Sequence, residues 1–386
     1  MDRNTDLIKP FSGESEESLT KRKAYYYRYL SPRHSYCIDG LNAKLNNLKP
    51  ISTGDREEID ALWGRYMTPA QRDKLIDYQS YEVYNKILRE GERLCDYMPD
   101  VFYGVFIDDH YGNPQHSKPC DDKNLYDLFF HDINRPKILF RKMYDMILDE
   151  NYDKISIDDA IALAREQGEV ILKLCRFSGC SCGVMFWNSA VHDESVIREF
   201  MKDPKDVICQ AIIKQHSELS RLNPTSVNTL RIMTLDLHGE IHVLSSVLRM
   251  GINGARVDNA SSGGIICGIK PNGQLKNEAY DAAANRYDKH PQGTAFESVT
   301  IPNYDKCIAI VTKLARRCSS ISRLISWDLA IEENGEPLLI EFNVCYGELD
   351  FHQLCNGPIF KDLTREVLND VFENAYSLNS ILKSMK

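Results

Sequence analysis

Three side chains near the C-terminal end of this 386-residue chain have the types and spacing to hold a hard divalent cation. They are Asp328, Glu341 and Asn343, flanking an Asn334-Gly335 pair. Asn-Gly between two runs of alternating apolar and polar residues is a strong hairpin signal. A two-residue turn there pairs positions whose numbers sum to 669, which sets Asp328 directly opposite Glu341 in the closer, non-hydrogen-bonded kind of pair. Asn343 follows by two and shares their face. Carboxylates opposite one another destabilise a sheet unless something compensates them. A cation does so, and carboxylate and amide oxygens suit Mg²⁺ or Mn²⁺. The competing reading is a solvated acidic face with each carboxylate paired to Lys or Arg. Leu329, Ile331, Leu338 and Ile340 are expected on the opposite, packed face, and Pro337 where a missing N–H is tolerated.

Mg²⁺ in such a site fills its shell with phosphate and water, so a phosphate-binding half is expected elsewhere. The segment VILKLCRFSGCSCGVM supplies a candidate. Lys173 ends a strand, and the loop Ser178-Gly179-Cys180-Ser181-Cys182-Gly183 is small enough for backbone N–H groups to approach phosphate oxygens. It matches neither GxxxxGK[ST] nor GxGxxG, and taken alone the loop reads more simply as an ordinary surface turn. Cys180 and Cys182 alone do not fill a zinc shell.

The elements that must position these groups follow from pattern. Residues 1–118 read as helical and irregular, a helical accessory region. Thr68-Pro69 marks a helix start, with helical spacing continuing to about Asp96. From residue 119 helices and strands alternate. SIDDAIALAREQG is a helix with Ser156 and Asp159 at capping-box spacing and Gly168 at its end. The strands EVILKL and DVICQAII follow, then two hairpins, RIMTLDLHGEIHVLSSVLRMG and WDLAIEENGEPLLIEFN. FKDLTREVLNDVFENAYSLNSILK closes the chain as an amphipathic helix. A turn of only His238-Gly239 would put Arg231 and Arg249 on opposite faces, so either a bulge intervenes or one arginine alone reaches a shared site.

Composition narrows the function. The 47 basic against 56 acidic residues give a net charge of −9, which speaks against a nucleic-acid partner. No run approaches the ~18 apolar residues of a membrane span, and the N-terminal segment has no apolar signal core. The twelve cysteines are scattered without zinc spacing and read as free thiols of a cytoplasmic protein.

The order DDK at 121–123, ILK at 171–173 with its small-residue loop, DVICQAII, and D…E-x-N resembles the ATP-grasp superfamily. SVNTLRIMTL, SSVLRMG, DNASSGG, HPQG and SWDLAI…LLIEFN are similar to its sugar-transfer-associated branch over about residues 95–365. The resemblance implies an α+β protein whose two α/β lobes clasp ATP, after a mostly helical N-terminal region. Its boundaries would be 1–118, 119–205 and 206–386. It implies Lys123 and Lys173 on the ATP phosphates under a loop containing Ser178, Gly179, Ser181 and Gly183. The backbone of Gln210, Ala211, Ile212 and Ile213 would meet adenine, with Glu218, slightly displaced from the usual ribose acid, beside the ribose. Arg231 and Arg249 would face the transferred phosphate and acyl group, with Asn259, Gly263 and Gly264 in a closing loop. Asp328, Glu341 and Asn343 would bind Mg²⁺. Asn228 and Thr229 read equally as hairpin-edge residues, and His290, His352 and Gln353 are weaker candidates for substrate contacts. Ser326 stands where the D-alanine–D-alanine ligase branch has arginine, so that activity is not expected. The function implied is an ATP-dependent carboxylate–amine ligase working through an acylphosphate. Its substrates would be a small carboxylate (a sugar acid or an amino acid) and an amine-type nucleophile, in polysaccharide or sugar-conjugate biosynthesis. A small-molecule kinase and a nucleotide-binding subunit without turnover are the alternatives, and a homodimer is compatible with each.

Overall fold

In the computed structural model, residues 8–120, 122–176 and 183–385 are described. The helix signals hold locally. Thr68 and Gln71 form a capping box with Pro69 in the first turn of Pro69–Leu75. Helical spacing does not carry through to Asp96 as one helix. Ile76 turns extended, and Asp77 caps a new helix, Tyr78–Ile87. Ser156 and Asp159 cap Ile157–Gln167, which ends on Gly168 at φ +85°. The C-terminal amphipathic run is likewise two helices, Thr364–Asn374 and Tyr376–Ser384, broken where Ala375 adopts ψ 111°.

Twelve described strands form two sheets. The first contains β1 (Ile138–Met143), β2 (Met146–Asp149), β3 (Glu169–Leu174), β4 (Val184–Asn188) and β5 (Val207–Ala211), in the order β2-β1-β5-β3-β4. The boundary expected at 205/206 is therefore misplaced. β5 is mostly apolar because it is the central strand, pairing with β1 and β3, so the first lobe runs past Ala211. The second sheet contains β6 (Leu230–Leu237), β7 (Glu240–Met250), β8 (Ile265–Ile269), β9 (Leu275–Tyr280), β10 (Arg286–Tyr287), β11 (Leu324–Ile331) and β12 (Pro337–Asn343). Its order is β10-β9-β8-β7-β6-β11-β12.

Each face of this second sheet has its own cover. Leu230, Ile232, Trp327 and Leu329 pack with Val311 and Leu314 of the helix Tyr304–Cys318. Met233 and Leu235 face the other way, into a core with Trp63, Tyr81 and Phe102 of the N-terminal region and Leu349, Leu368 and Ile381 of the C-terminal helices. The N-terminal residues thus share one core with the second sheet. By strand alternation, Arg231 lies on that same face.

Both hairpins contain a bulge, and in both the bulge decides which face the polar residues take. His238 (φ +53°) and Gly239 (φ +90°) make the two-residue turn of β6–β7. Leu244 is then an extra residue, and the register shifts at Met233/Thr234. Arg231 pairs with Val247, and the Arg249 N–H donates to Thr229 O at 2.8 Å, so both arginines share a face. In β11–β12 the expected two-residue turn is not formed. Asn334 stays out of the left-handed region, Glu332 N–H donates to Glu336 O at 3.0 Å, and residues 333–335 form a three-residue loop with Gly335 at φ +85°. The register near the loop is one short of the expected one. Ile340 bulges out and restores it, so Asp328 does pair with Glu341 and Ser326 with Asn343. Leu339, not Leu338 or Ile340, consequently takes the core face, and Ile340 turns to the cavity.

Candidate active site

A cavity of about 1220 Å³ is lined by residues of both sheets and the N-terminal helices. Lys123, Lys173, Gln210, Ala211, Ile212, Ile213, Thr229, Arg231, Arg249, Asn259, Asp328, Glu341 and Asn343 all reach it. The chain crosses between the sheets at residues 212–216. There Lys214 O accepts from Glu333 N–H (2.8 Å) and His216 N–H donates to Ile331 O (2.9 Å), which ties the crossing to the β11–β12 hairpin. Ile171, Val184, Phe186 and Ile340 supply apolar walls at this end.

The register of the central strands builds a buried ionic centre. Asp328 lies opposite Arg231 on β6. Arg231 donates from Nε to Asp328 Oδ1 at 2.8 Å and from Nη2 to Oδ2 at 2.7 Å, a bidentate fork. Its Nη1 binds Glu348, and Arg249 adds a 3.3 Å contact to Asp328 while holding Asn259. Burial alone would raise Asp328, yet Arg231 and Arg249 hold its carboxyl below the usual range. Burial likewise opposes the Arg231 charge, and Asp328 and Glu348 outweigh it. Glu341 is paired with Lys123 at 2.7 Å. Each carboxylate of the opposed pair is thus compensated by a cation of the chain itself.

The donor set nonetheless fits a hard divalent ion. Two carboxylates on adjacent strands and an Asn amide converge on one wall of the cavity, and oxygen ligands of this kind suit Mg²⁺. Among the described residues no group of three or more His, Cys, Asp and Glu is placed to hold a metal. An ion here would rest on Asp328, Glu341 and the Asn343 amide, completing its shell with phosphate and water.

The lysine half is electrostatically unbalanced. Burial, and then repulsion from Lys123, push the Lys173 ammonium down to about 8, and Glu341 and Asp258 only partly offset this. No hydrogen bond or ion pair joins the Lys173 ammonium to another described residue. Such a group gains from an incoming anion. Leu174 N–H donates to Gly183 O at 2.9 Å, closing the base of the small-residue loop. Ser178, Gly179 and Ser181, expected over the phosphates, lie outside the described residues.

Other expected residues fall elsewhere. Glu218 does not line the cavity, and its carboxylate accepts from Arg221 Nη1 at 2.8 Å. Gly263 (φ +91°) and Gly264 are also off the lining. A Cβ on Gly264 would stand 2.4 Å from Asp258 O, so its role is close backbone packing. His290 is buried against Gly251 O (3.1 Å), His352 against Ser245 Oγ (2.8 Å), and Gln353 bonds both N and O of Met98 (2.9 Å each). All three hold the fold together. Residues that sequence reasoning missed include Pro32, Tyr36, Asp258, Tyr346 and Glu348. Asp258 was within reach, since it adjoins Asn259 in a recognised motif. It accepts from Thr229 N–H at 3.0 Å and from the Thr229 hydroxyl. The others carry no local signal.

Two sheets around a cavity lined by lysines, arginines and opposed carboxylates define an ATP-grasp fold. A model of the sugar-transfer-associated ATP-grasp family matches residues 116–369, and the chain belongs to that family. No curated protein matches it. Similar solved structures include D-alanyl-alanine synthetase A from Vibrio cholerae O1 biovar eltor str. N16961 (14% identity, TM-score 0.40, 69% of this chain and 66% of that one). Others are a D-alanine–D-alanine ligase from Bacillus anthracis (16%, TM-score 0.37, 68% of each) and an L-amino acid ligase from Bacillus licheniformis (15%, TM-score 0.36, 66% and 48%). The chain thus spans about two thirds of the first two and about half of the third. No described helix is long and apolar enough to cross a membrane, and the ten described cysteines are free thiols.

Proposed function

We propose that this chain is an MgATP-dependent ligase that activates a small carboxylate, a sugar acid in our reading, for capture by an amine or similar nucleophile. The observation that carries the proposal is the convergence, in one cavity, of Arg231 and Arg249 from a single sheet face with Asp328, Glu341 and both lysines. Residues 210–213, at the end of β5 and just beyond it, would meet adenine through backbone groups. Lys123 and Lys173 would take the phosphates, with Lys173 regaining its full charge as they arrive. Asp328, Glu341 and Asn343 would hold Mg²⁺, which would supply charge neutralisation to the phosphates. Arg231 and Arg249 would orient the substrate carboxylate and stabilise the charge of the transferring phosphoryl group. The carboxylate oxygen attacks the γ-phosphorus, the bond to the ADP oxygen breaks, and an acylphosphate forms. The nucleophile then attacks the acyl carbon, loses a proton, and phosphate departs. Apolar walls and the Asn259 loop exclude water that would otherwise hydrolyse the intermediate.

The test is ADP release measured over a panel of carboxylates and amines, sugar acids included. Asp328→Ala and Glu341→Ala should each abolish it while the fold survives, and unchanged turnover would overturn the assignment. Mass spectrometry of the product separates chemistries: a condensed product supports ligation, whereas a stable phosphorylated one identifies a kinase.

A further inference from the structure

One part of the cavity lies outside the residues assigned above to nucleotide. It adjoins Arg231 through Glu348 and is built by the helix Ser31–Ala43 of the N-terminal region and by residues 344–348 after β12. Pro32 and Tyr36 line it from the helix, and Cys345, Tyr346 and Glu348 from the loop. The rings of Tyr36 and Tyr346 meet edge-on, with centroids 5.2 Å apart. They keep 45% and 39% of their surface exposed, whereas Tyr81, Tyr84, Tyr97 and Tyr103 of the N-terminal region are buried.

The loop is held in a costly shape. Tyr346 (φ +58°) and Glu348 (φ +59°) are both left-handed without being glycine, and such conformations persist only where surrounding contacts impose them. Here those contacts come from the N-terminal region. Arg33 is buried, pairs with Asp108 at 2.6 Å, donates to Cys345 Sγ at 3.1 Å and lies over the Tyr346 ring. Asp108 accepts in turn from Tyr346 N–H at 3.3 Å. Between the two left-handed residues, Gly347 O accepts from Ser326 Oγ at 3.3 Å.

We infer that this end is the subsite for the ring of a glycosyl substrate, with Tyr36 and Tyr346 as specificity-determining residues supplied by two distant parts of the chain. The inference rests on the ligase reading above and deepens it. Glu348 shares Arg231 with Asp328, so the loop that carries Tyr346 runs to the arginine centre, and a ring placed on the tyrosines would bring its carboxylate to exchange with Glu348 on Arg231. The chemistry favours a sugar acid over an amino acid. An amino acid needs an acidic group for its ammonium, which a pair of phenol rings does not supply. Two half-exposed phenol rings instead offer apolar surface, which matches the C–H face of a sugar ring.

Saturation-transfer NMR on the full chain with Mg²⁺ and a non-hydrolysable ATP analogue tests this, using D-glucuronate and D- and L-alanine as probes. Wild type should transfer saturation to the ring protons of D-glucuronate. Tyr36→Ala and Tyr346→Ala should weaken that binding roughly tenfold, Tyr36→Phe should retain most of it, and nucleotide affinity should stay at the wild-type value in all three. No transfer to glucuronate, stronger transfer to either alanine, or full retention in both alanine variants overturns the subsite. Loss of nucleotide binding in wild type while glucuronate still binds would instead overturn the ligase reading and leave the subsite standing.

Discussion

The hairpins β6–β7 and β11–β12 solve one geometric problem by opposite routes. In β6–β7 the turn has the two residues that Asn/Gly-type chemistry suggests, and the correction comes later, at Leu244. In β11–β12 the loop has three residues, and Ile340 cancels the resulting offset. Either way one bulged residue sets the polar side chains of the central strands on the cavity face. Simple register counting placed Asp328 opposite Glu341 only because two departures of one residue each cancel. In a sheet the side-chain period is two, so a single extra residue is enough to move a site to the wrong side.

The largest test of this pairing of hairpins is at their contact. Arg231→Met removes the β6 side of the fork and leaves Asp328 and Glu348 short of a partner in a buried place. Breaking such a pair costs ~3–5 kcal/mol, so the urea midpoint should fall sharply and ADP release should disappear. A wild-type midpoint would mean that the strands do not depend on the ion pair. Deleting Ile340 should do less. Without the bulged residue Asp328 still falls opposite Glu341, so MgATP affinity by calorimetry should weaken by under about tenfold. A complete loss would show that the twist of the bulge, and not the register alone, aims Glu341.

The turns should differ more finely. Gly239→Ala and Gly335→Ala each force a left-handed residue, a cost of ~1–2 kcal/mol. At Gly239 nothing lies within 4 Å of an added Cβ, whereas at Gly335 Asn303 Nδ2 would be 3.2 Å away and donates to Gly335 O at 2.7 Å. Gly335→Ala should therefore be the more destabilised by thermal unfolding, and equal losses would remove the distinction. The smallest effect is on pH. Lys173 is lowered to about 8, so burial of its charged form costs stability at pH values below that, and the cost is relieved as pH rises toward the usual lysine range. Phosphates favour the charged form. MgATP affinity should thus be flat below about pH 8 and decline above it, with proton uptake on binding. Lys173→Met should flatten the profile.

Sequence by itself determined the local signals. The capped helix starts at Thr68 and Ser156, the two hairpins and the carboxylate pair were legible, because turn chemistry, caps and strand alternation act over a few residues, whereas the two cavity lysines were picked out together only through the family resemblance. Helix ends inside 69–96 and 361–384 were not, since single extended residues at Ile76 and Ala375 answer to packing. Nor was the place of β5, whose apolar composition suits any central strand. Tertiary structure alone decided that Arg231 and Arg249 share a face, that chain cations neutralise Asp328 and Glu341, and that Glu218 points away. It also decided that the N-terminal helices, silent as sequence, wall the cavity with Tyr36 beside Tyr346. These facts depend on which segments meet across hundreds of residues, and on bulges whose position is chosen by the packing of both faces of a sheet. The hairpin of Asp328 and Glu341 could be read from spacing, but its partners could be read only from the fold.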